Sequence, residues 1–353
     1  MIGLALVSAA CGGPLDDTST GAGGASESGD ERPDGEAGSG AGAEAPAPDD
    51  VGSLGVSSGE TSAGGAGADG ATGDDADLCP DGFARGAEGD WSAIRAFDPA
   101  IEGIAVCPSG EVFVSQPDTG AIFRVPLDGS TYEVWTILAN RRPLGMDCAS
   151  DGSLYVADFG SDDATVVRVA GKGDPGTPLP KVPGDDGYRA MNGVAVVEGV
   201  GVYATDASNT LFGRVILFAE TAPDTFEARV EKSGLPFPND VDFDPSTGRL
   251  DLTLTVNSQV FSYPVAPDGG LGGPGVAWSG TFAVDALDGL AVAEGGERFL
   301  AHYLEGTVRR SSDGHVVAAL AEPRSLAFRG GTLLVTGRDG LYAVELGVCG
   351  AGP

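Results

Sequence analysis

From about residue 91 onward the apolar positions fall into short runs separated by turns built on Gly, Asp and Ser, and the arrangement recurs six times. Residues 102–116, 144–158, 192–206, 239–254, 288–303 and 324–337 each read as a short apolar strand, a turn, and a second strand rich in β-branched and aromatic residues. A third strand follows in most copies, as at 121–125, 165–169 and 260–264. The repeats start 42, 48, 47, 49 and 36 residues apart. A period in the forties with three or four strands per unit predicts an all-β, six-bladed β-propeller, since a helical solenoid would show a 3.6-residue period instead. In such a fold the first strand of each unit lines the central channel, so the residues that open the six repeats converge near one mouth. The last unit supplies only three strands before about Leu346. The segment Trp91 to Phe97 is expected to add the fourth and close the ring.

The chain before this region has a different character. Between Gly12 and Leu78 there is no aromatic residue, and fifteen Asp or Glu stand against Arg32 alone. Such a segment cannot bury enough apolar surface to offset its ordering entropy. The expectation is therefore a disordered, acidic Gly/Ala/Ser-rich linker over 12–78 and a propeller over 79–353. The chain as a whole carries a formal charge of −32, which excludes nucleic acid, whose binding rests on cationic side chains. A small-molecule ligand and a monomer are expected.

Residues 1–10 form an apolar run too short to span a bilayer as a helix. Leu6-Val7-Ser8-Ala9-Ala10-Cys11, followed by two glycines and the linker, resembles the lipobox of bacterial lipoproteins. That resemblance implies a signal peptide over 1–11 and lipidation of Cys11. The protein would then be exported and lipid-anchored in the cell envelope, in the outer membrane or facing the periplasm, touching the membrane through the anchor alone. Export makes the remaining cysteines candidates for disulfides. Cys107 and Cys148 stand four and three residues after Gly103 and Gly145 in adjacent innermost strands, a parity that lets them meet. Cys79 and Cys349 flank the ends joined by ring closure. The expected pairs are Cys107–Cys148 and Cys79–Cys349.

Alignment of the six repeats places Glu102, Leu144, Asn192, Asn239, Asp288 and Arg324 at one structural position. Two of the chain's five Asn fall there. The glycines that follow at 103, 145, 193 and 289 suit crowded backbones and turns, but turn chemistry does not account for the residues before them. Two carboxylates and two amide oxygens about one axis suit a hard divalent cation, Ca²⁺ above all.

With Glu, Asn, Asn and Asp in blades one, three, four and five, the sequence resembles the calcium-dependent lactonases of the senescence marker protein, gluconolactonase and luciferin-regenerating enzyme group, over about residues 90–346. The resemblance implies that Glu102, Asn192, Asn239 and Asp288 hold one metal ion and that Asp288 is the general base in hydrolysis of a lactone or related ester. Asp240 would orient Asn239 from behind, and Arg189 and His302 would stand near the site. This chain departs from the group at Ile104, where Pro is usual, and at Ala190, where some members carry a substrate-binding Arg. Blades one and two also resemble NHL-type repeats. These imply the alternative of a non-catalytic platform binding a ligand or protein at the cell envelope.

Overall fold

The computed structural model describes residues 91–346 and 350, apart from 129, 186, 208–211 and 281–285. The expected leader, Cys11, the linker over 12–78 and both members of the Cys79–Cys349 pair lie outside the described residues.

The described chain is all strand and turn. Blade one comprises β2 (Ile104–Val106), β3 (Val112–Gln116), β4 (Ala121–Arg124) and β5 (Glu133–Ile137). Blade two comprises β6 (Pro143–Cys148), β7 (Leu154–Ala164), β8 (Val166–Val169) and β9 (Thr177–Pro178). Blade three has β10 (Tyr188–Val197), β11 (Gly201–Asp206), β12 (Gly213–Ala222) and β13 (Thr225–Leu235), and blade four has β14 (Pro238–Asp244), β15 (Arg249–Leu254), β16 (Gln259–Pro264) and β17 (Gly275–Ser279). Blade five has β18 (Leu287–Val292), β19 (Arg298–His302), β20 (Thr307–Arg310) and β21 (Val316–Ala319). Blade six takes β22 (Leu326–Arg329), β23 (Thr332–Gly337) and β24 (Gly340–Glu345) from the end of the chain and β1 (Trp91–Ala96) from its other side. Strand β1 runs antiparallel to β24, with Trp91 opposite Val344 and Ala96 opposite Gly340. The ring is thus closed by strands distant in sequence, as the count of three strands after Arg324 requires.

Innermost strands pack in succession, β2 on β6, β6 on β10, β10 on β14, β14 on β18, β18 on β22 and β22 back on β2. Alternation along each strand sends one set of apolar side chains to each neighbouring blade, so the core consists of wedges between blades. Phe113, Ile122, Met146 and Val156 fill the wedge between blades one and two. Tyr188, Ile216 and Phe218 fill the next with Ala157 and Val166. Phe97, Ile101, Leu334 and Leu341 complete the circle between blades six and one. Cys107 and Cys148 are disulfide-bonded inside the first of these wedges, the pairing that their parity predicted.

One connection differs from six separate sheets. Strand β7 runs eleven residues, to Ala164, and its outer half pairs with β10 through Ala164–Tyr188 and Phe159–Ala190. Blades two and three are thereby joined into one sheet near the mouth.

Candidate functional site

Close approach of the innermost strands is what places the six repeat-opening residues in a ring. A Cβ on Gly145 would stand 2.5 Å from the Asn192 carbonyl oxygen, and one on Gly193 would stand 2.7 Å from Asp240 Cα. A Cβ on Gly103 or Gly289 would collide with the carbonyls of Leu144 and Arg324. The four glycines are therefore explained by contact between blades.

Hydroxyls on the second strands lock this approach. Ser115 Oγ accepts from Gly103 N at 2.8 Å and donates to the Leu144 carbonyl at 2.8 Å. Thr205 Oγ1 accepts from Gly193 N at 2.8 Å and donates to the Asn239 carbonyl at 2.5 Å. Thr253 Oγ1 accepts from Asp240 N at 2.8 Å and donates to the Asp288 carbonyl at 2.9 Å. Thr336 Oγ1 accepts from Ser325 N at 2.9 Å and donates to the Glu102 carbonyl at 2.5 Å. Each clasp fixes the backbone of one ring residue from the neighbouring blade. The equivalent positions in blades two and five are Ala157 and Ala301.

Glu102, Asn192, Asn239 and Asp288 are all buried, at 5%, 6%, 1% and 5% exposure. Asn239 is held by its Nδ2, which donates to Thr255 Oγ1 at 3.1 Å, and that hydroxyl donates in turn to the Leu287 carbonyl at 2.7 Å. Burial pushes the Asp288 carboxyl well above the usual carboxylate range, and the charge of Glu102 pushes it further; Arg324 and a hydrogen bond from Asn239 oppose the rise. Asp288 Oδ2 is buried with no hydrogen-bond partner. Glu102 is also raised, first by burial, against the pull of Arg324.

Among the described residues no group of three or more His, Cys, Asp or Glu is assembled as a metal site. The ring has another donor set, two carboxylates and two amide oxygens. An orphaned Asp288 oxygen facing a like-charged neighbour is what a hard cation would relieve, so these residues fit such an ion.

The other candidates take different places. Asp240 was expected behind Asn239. Instead its Oδ1 accepts from Val241 N at 3.0 Å and its Oδ2 from Leu290 N at 2.9 Å, and Thr255 bonds the Asn239 side chain. Asp147 and Asp242 do the same, accepting from Val196 N at 2.7 Å and Val292 N at 2.8 Å. All three face a cavity of about 120 Å³ lined by the six innermost strands. At these positions the strands have no ladder partner on their inner edge, and the carboxylates satisfy N–H groups that would otherwise be stranded there. Burial lifts Asp147 to about 6 and Asp240 to about 7, and Asp242 well above its ordinary value. His302, at the end of β19, is buried and meets the Trp278 ring edge-on at 5.7 Å. Arg189 lies in β10.

Side chains beyond the expected ligand set also shape the site. Arg324 Nη1 donates to Glu102 Oε2, and Arg324 Cζ stands 6.0 Å from the centre of the Tyr303 ring. Arg142 stacks over Phe159 at 5.6 Å and pulls the Glu102 carboxyl downward. Arg142 stands two residues before Leu144, the same offset as Ala190 before Asn192, so register within the repeats could have singled it out. Phe159 belongs to a buried apolar cluster with Leu144, Ala190, Ala207 and Phe237. This apolar cluster, drawn from blades two to four, borders the ring, whose charged members Asp288, Arg324 and Glu102 come from blades five, six and one.

No protein-family model matches the chain, and no curated protein matches its sequence. Solved structures do resemble it. A gluconolactonase from Xanthomonas campestris superposes with a TM-score of 0.62 at 18% identity, covering 74% of this chain and 91% of the other. Regucalcin from Agrobacterium tumefaciens, described as a calcium-binding protein, gives 0.59 at 18% identity, with 76% and 96% covered. A luciferin-regenerating enzyme gives 0.61 at 13% identity, with 74% and 97% covered. The fold is the propeller of these proteins.

Proposed function

We propose that the protein hydrolyses a lactone or related ester, using one divalent cation, Ca²⁺ above all, held by Glu102, Asn192, Asn239 and Asp288. The observation that carries this reading is the ring itself: four oxygen donors from four blades, buried together, with Asp288 Oδ2 lacking any partner. A bound cation would polarise the substrate carbonyl and stabilise the negative charge that develops on its oxygen.

The remaining chemistry belongs to the chain. Asp288, whose buried Oδ2 has no hydrogen-bond partner, would take a proton from water as general base. Thr253 and Asn239 fix its position through the backbone carbonyl and the side chain respectively. Leu144, Phe159 and Phe237 exclude water from the opposite wall. The resemblance to gluconolactonases of known structure supports lactonase chemistry at the level of fold. Ala190, within the apolar cluster, argues against the sugar-binding arrangement that an Arg there would provide. We further propose that the propeller is exported and carried on a lipid anchor at Cys11, with residues 12–78 as its tether.

A non-catalytic ligand-binding propeller is the second reading, favoured by the ion pair in which Arg324 already neutralises Glu102. The test is a panel of lactones and esters assayed with the full chain in Ca²⁺ and in chelator. Hydrolysis that stops in chelator and returns with Ca²⁺ is the expected result. Stoichiometric Ca²⁺ binding without turnover on any member would favour the second reading, and turnover indifferent to chelator would remove the metal from the mechanism.

A further inference from the structure

The sixth position of the ring is held by Arg324, and the proposed function has no use for it. Its residue is 8% exposed, and its Nη1 donates both to Glu102 Oε2 and, at 3.4 Å, to the Ile101 carbonyl. Its Nη2 reaches Glu322 Oε2 at 3.3 Å. Its Nε is buried with no hydrogen-bond partner, as is Asp288 Oδ2. The guanidinium acts electrostatically on both ring carboxylates. One side of the site thus already contains a cation, bonded to one carboxylate oxygen of Glu102, a residue of the proposed ligand set. A buried carboxylate requires a counter-charge, and here the fold supplies one from a blade adjacent to that of the carboxylate.

We propose that Arg324 is a resident counter-cation, and that a divalent cation enters the ring by displacing its guanidinium from Glu102. The ion pair and the metal are then alternatives. The metal-free protein keeps Glu102 neutralised, and metal affinity is lowered by the work of breaking the pair. This inference rests on the metal reading above and adds a competition that the reading does not itself require. The orphaned Nε–H and Asp288 Oδ2 mark the pair as an incomplete solution, since a guanidinium satisfied as a structural cross-link would have its donors used.

The experiment compares full-length wild type with Arg324→Met, both stripped with chelator and titrated with CaCl₂ by calorimetry, with melting followed in parallel. Both carry the same acidic segment over 12–78, so any weak binding there is common to the two. Arg324→Met should bind one Ca²⁺ in the propeller at least tenfold more tightly than wild type. Without Ca²⁺ it should melt at a lower temperature, and Ca²⁺ should raise its melting temperature by more than that of wild type. Equal or weaker binding by the variant overturns the competition while leaving the metal reading intact. Absence of propeller binding in both proteins overturns both. A second measurement uses wild type and covers the case in which Arg324→Met does not fold. The Arg324 Nε–H resonance, assigned by its loss in Arg324→Lys, should shift as the first equivalent of Ca²⁺ binds. A resonance that stays in place while Ca²⁺ binds overturns the proposal.

Discussion

Thr253 offers a quantitative test of how the ring is held, because one hydroxyl performs two buried tasks. It is fully buried, accepts from Asp240 N at 2.8 Å in its own blade and donates to the Asp288 carbonyl at 2.9 Å in the next. Thr253→Val keeps the shape and volume of the side chain, so no cavity contribution arises. It leaves a buried N–H and a buried carbonyl without their partner, at about 1–3 kcal/mol each. The expected loss is about 2–6 kcal/mol, a large share of a domain's stability. With a urea slope of about 3 kcal/mol per molar for a domain of this size, the midpoint should fall by roughly 1 M at unchanged slope. Because the lost bond positions the backbone of Asp288, Ca²⁺ affinity should fall as well. The comparison is Ala157→Ser, which adds a hydroxyl at the equivalent position of blade two, where the ring is held without one, and should change stability far less. A loss below about 0.5 kcal/mol in Thr253→Val would refute the claim that these hydroxyls clasp the blades.

Asp288→Asn keeps an oxygen ligand but loses the charge and the base, so turnover should collapse while calorimetry still detects weakened Ca²⁺ binding; Asn239→Ala should bind Ca²⁺ more weakly, with its rate partly restored by excess Ca²⁺. Gly193→Ala forces a Cβ to within 2.7 Å of Asp240 Cα, and should destabilise by about 1–3 kcal/mol in thermal or urea unfolding. Reducing Cys107–Cys148, which closes a loop with a sequence separation of 41, should lower stability by about 4 kcal/mol on the chain-entropy account, measured as unfolding with and without reductant. Asp147 and Asp240 are lifted from 3.8 to about 6 and about 7. The native state therefore holds protons that the unfolded chain releases, and metal-free stability should rise as pH falls from 7.5 to 5, with the gain shrinking in Asp240→Asn; a flat profile across that window would contradict it.

Repetition made the architecture legible before any coordinates. Six apolar-turn-apolar units at spacings from 36 to 49 residues could bury their faces only against one another. The deficit of one strand after Arg324 pointed to the segment Trp91 to Phe97 as the closing element. The same repetition aligned Glu102, Asn192, Asn239 and Asp288, because residues at one position of a repeat occupy one height on the axis. Strand parity likewise brought Cys107 to Cys148. All of these follow from local periodicity, which a sequence carries in full.

What the sequence could not assign was the partner of each polar group across a blade boundary. Asp240 sits next to Asn239 in the chain, yet its carboxylate serves the Leu290 amide of the next blade; neighbours on a strand point to opposite sides, and inter-blade packing decides what each side meets. Arg324 was visible at the sixth ring position, but its pairing with Glu102 joins residues 222 apart. That pairing depends on ring closure and on how far the guanidinium reaches. The union of β7 with β10 and the four hydroxyl clasps have the same origin. Composition and period determine that six blades form and which residues face the axis. Only the distances between blades decide which charges are neutralised, which amides are satisfied, and which oxygen of Asp288 is left without a hydrogen bond.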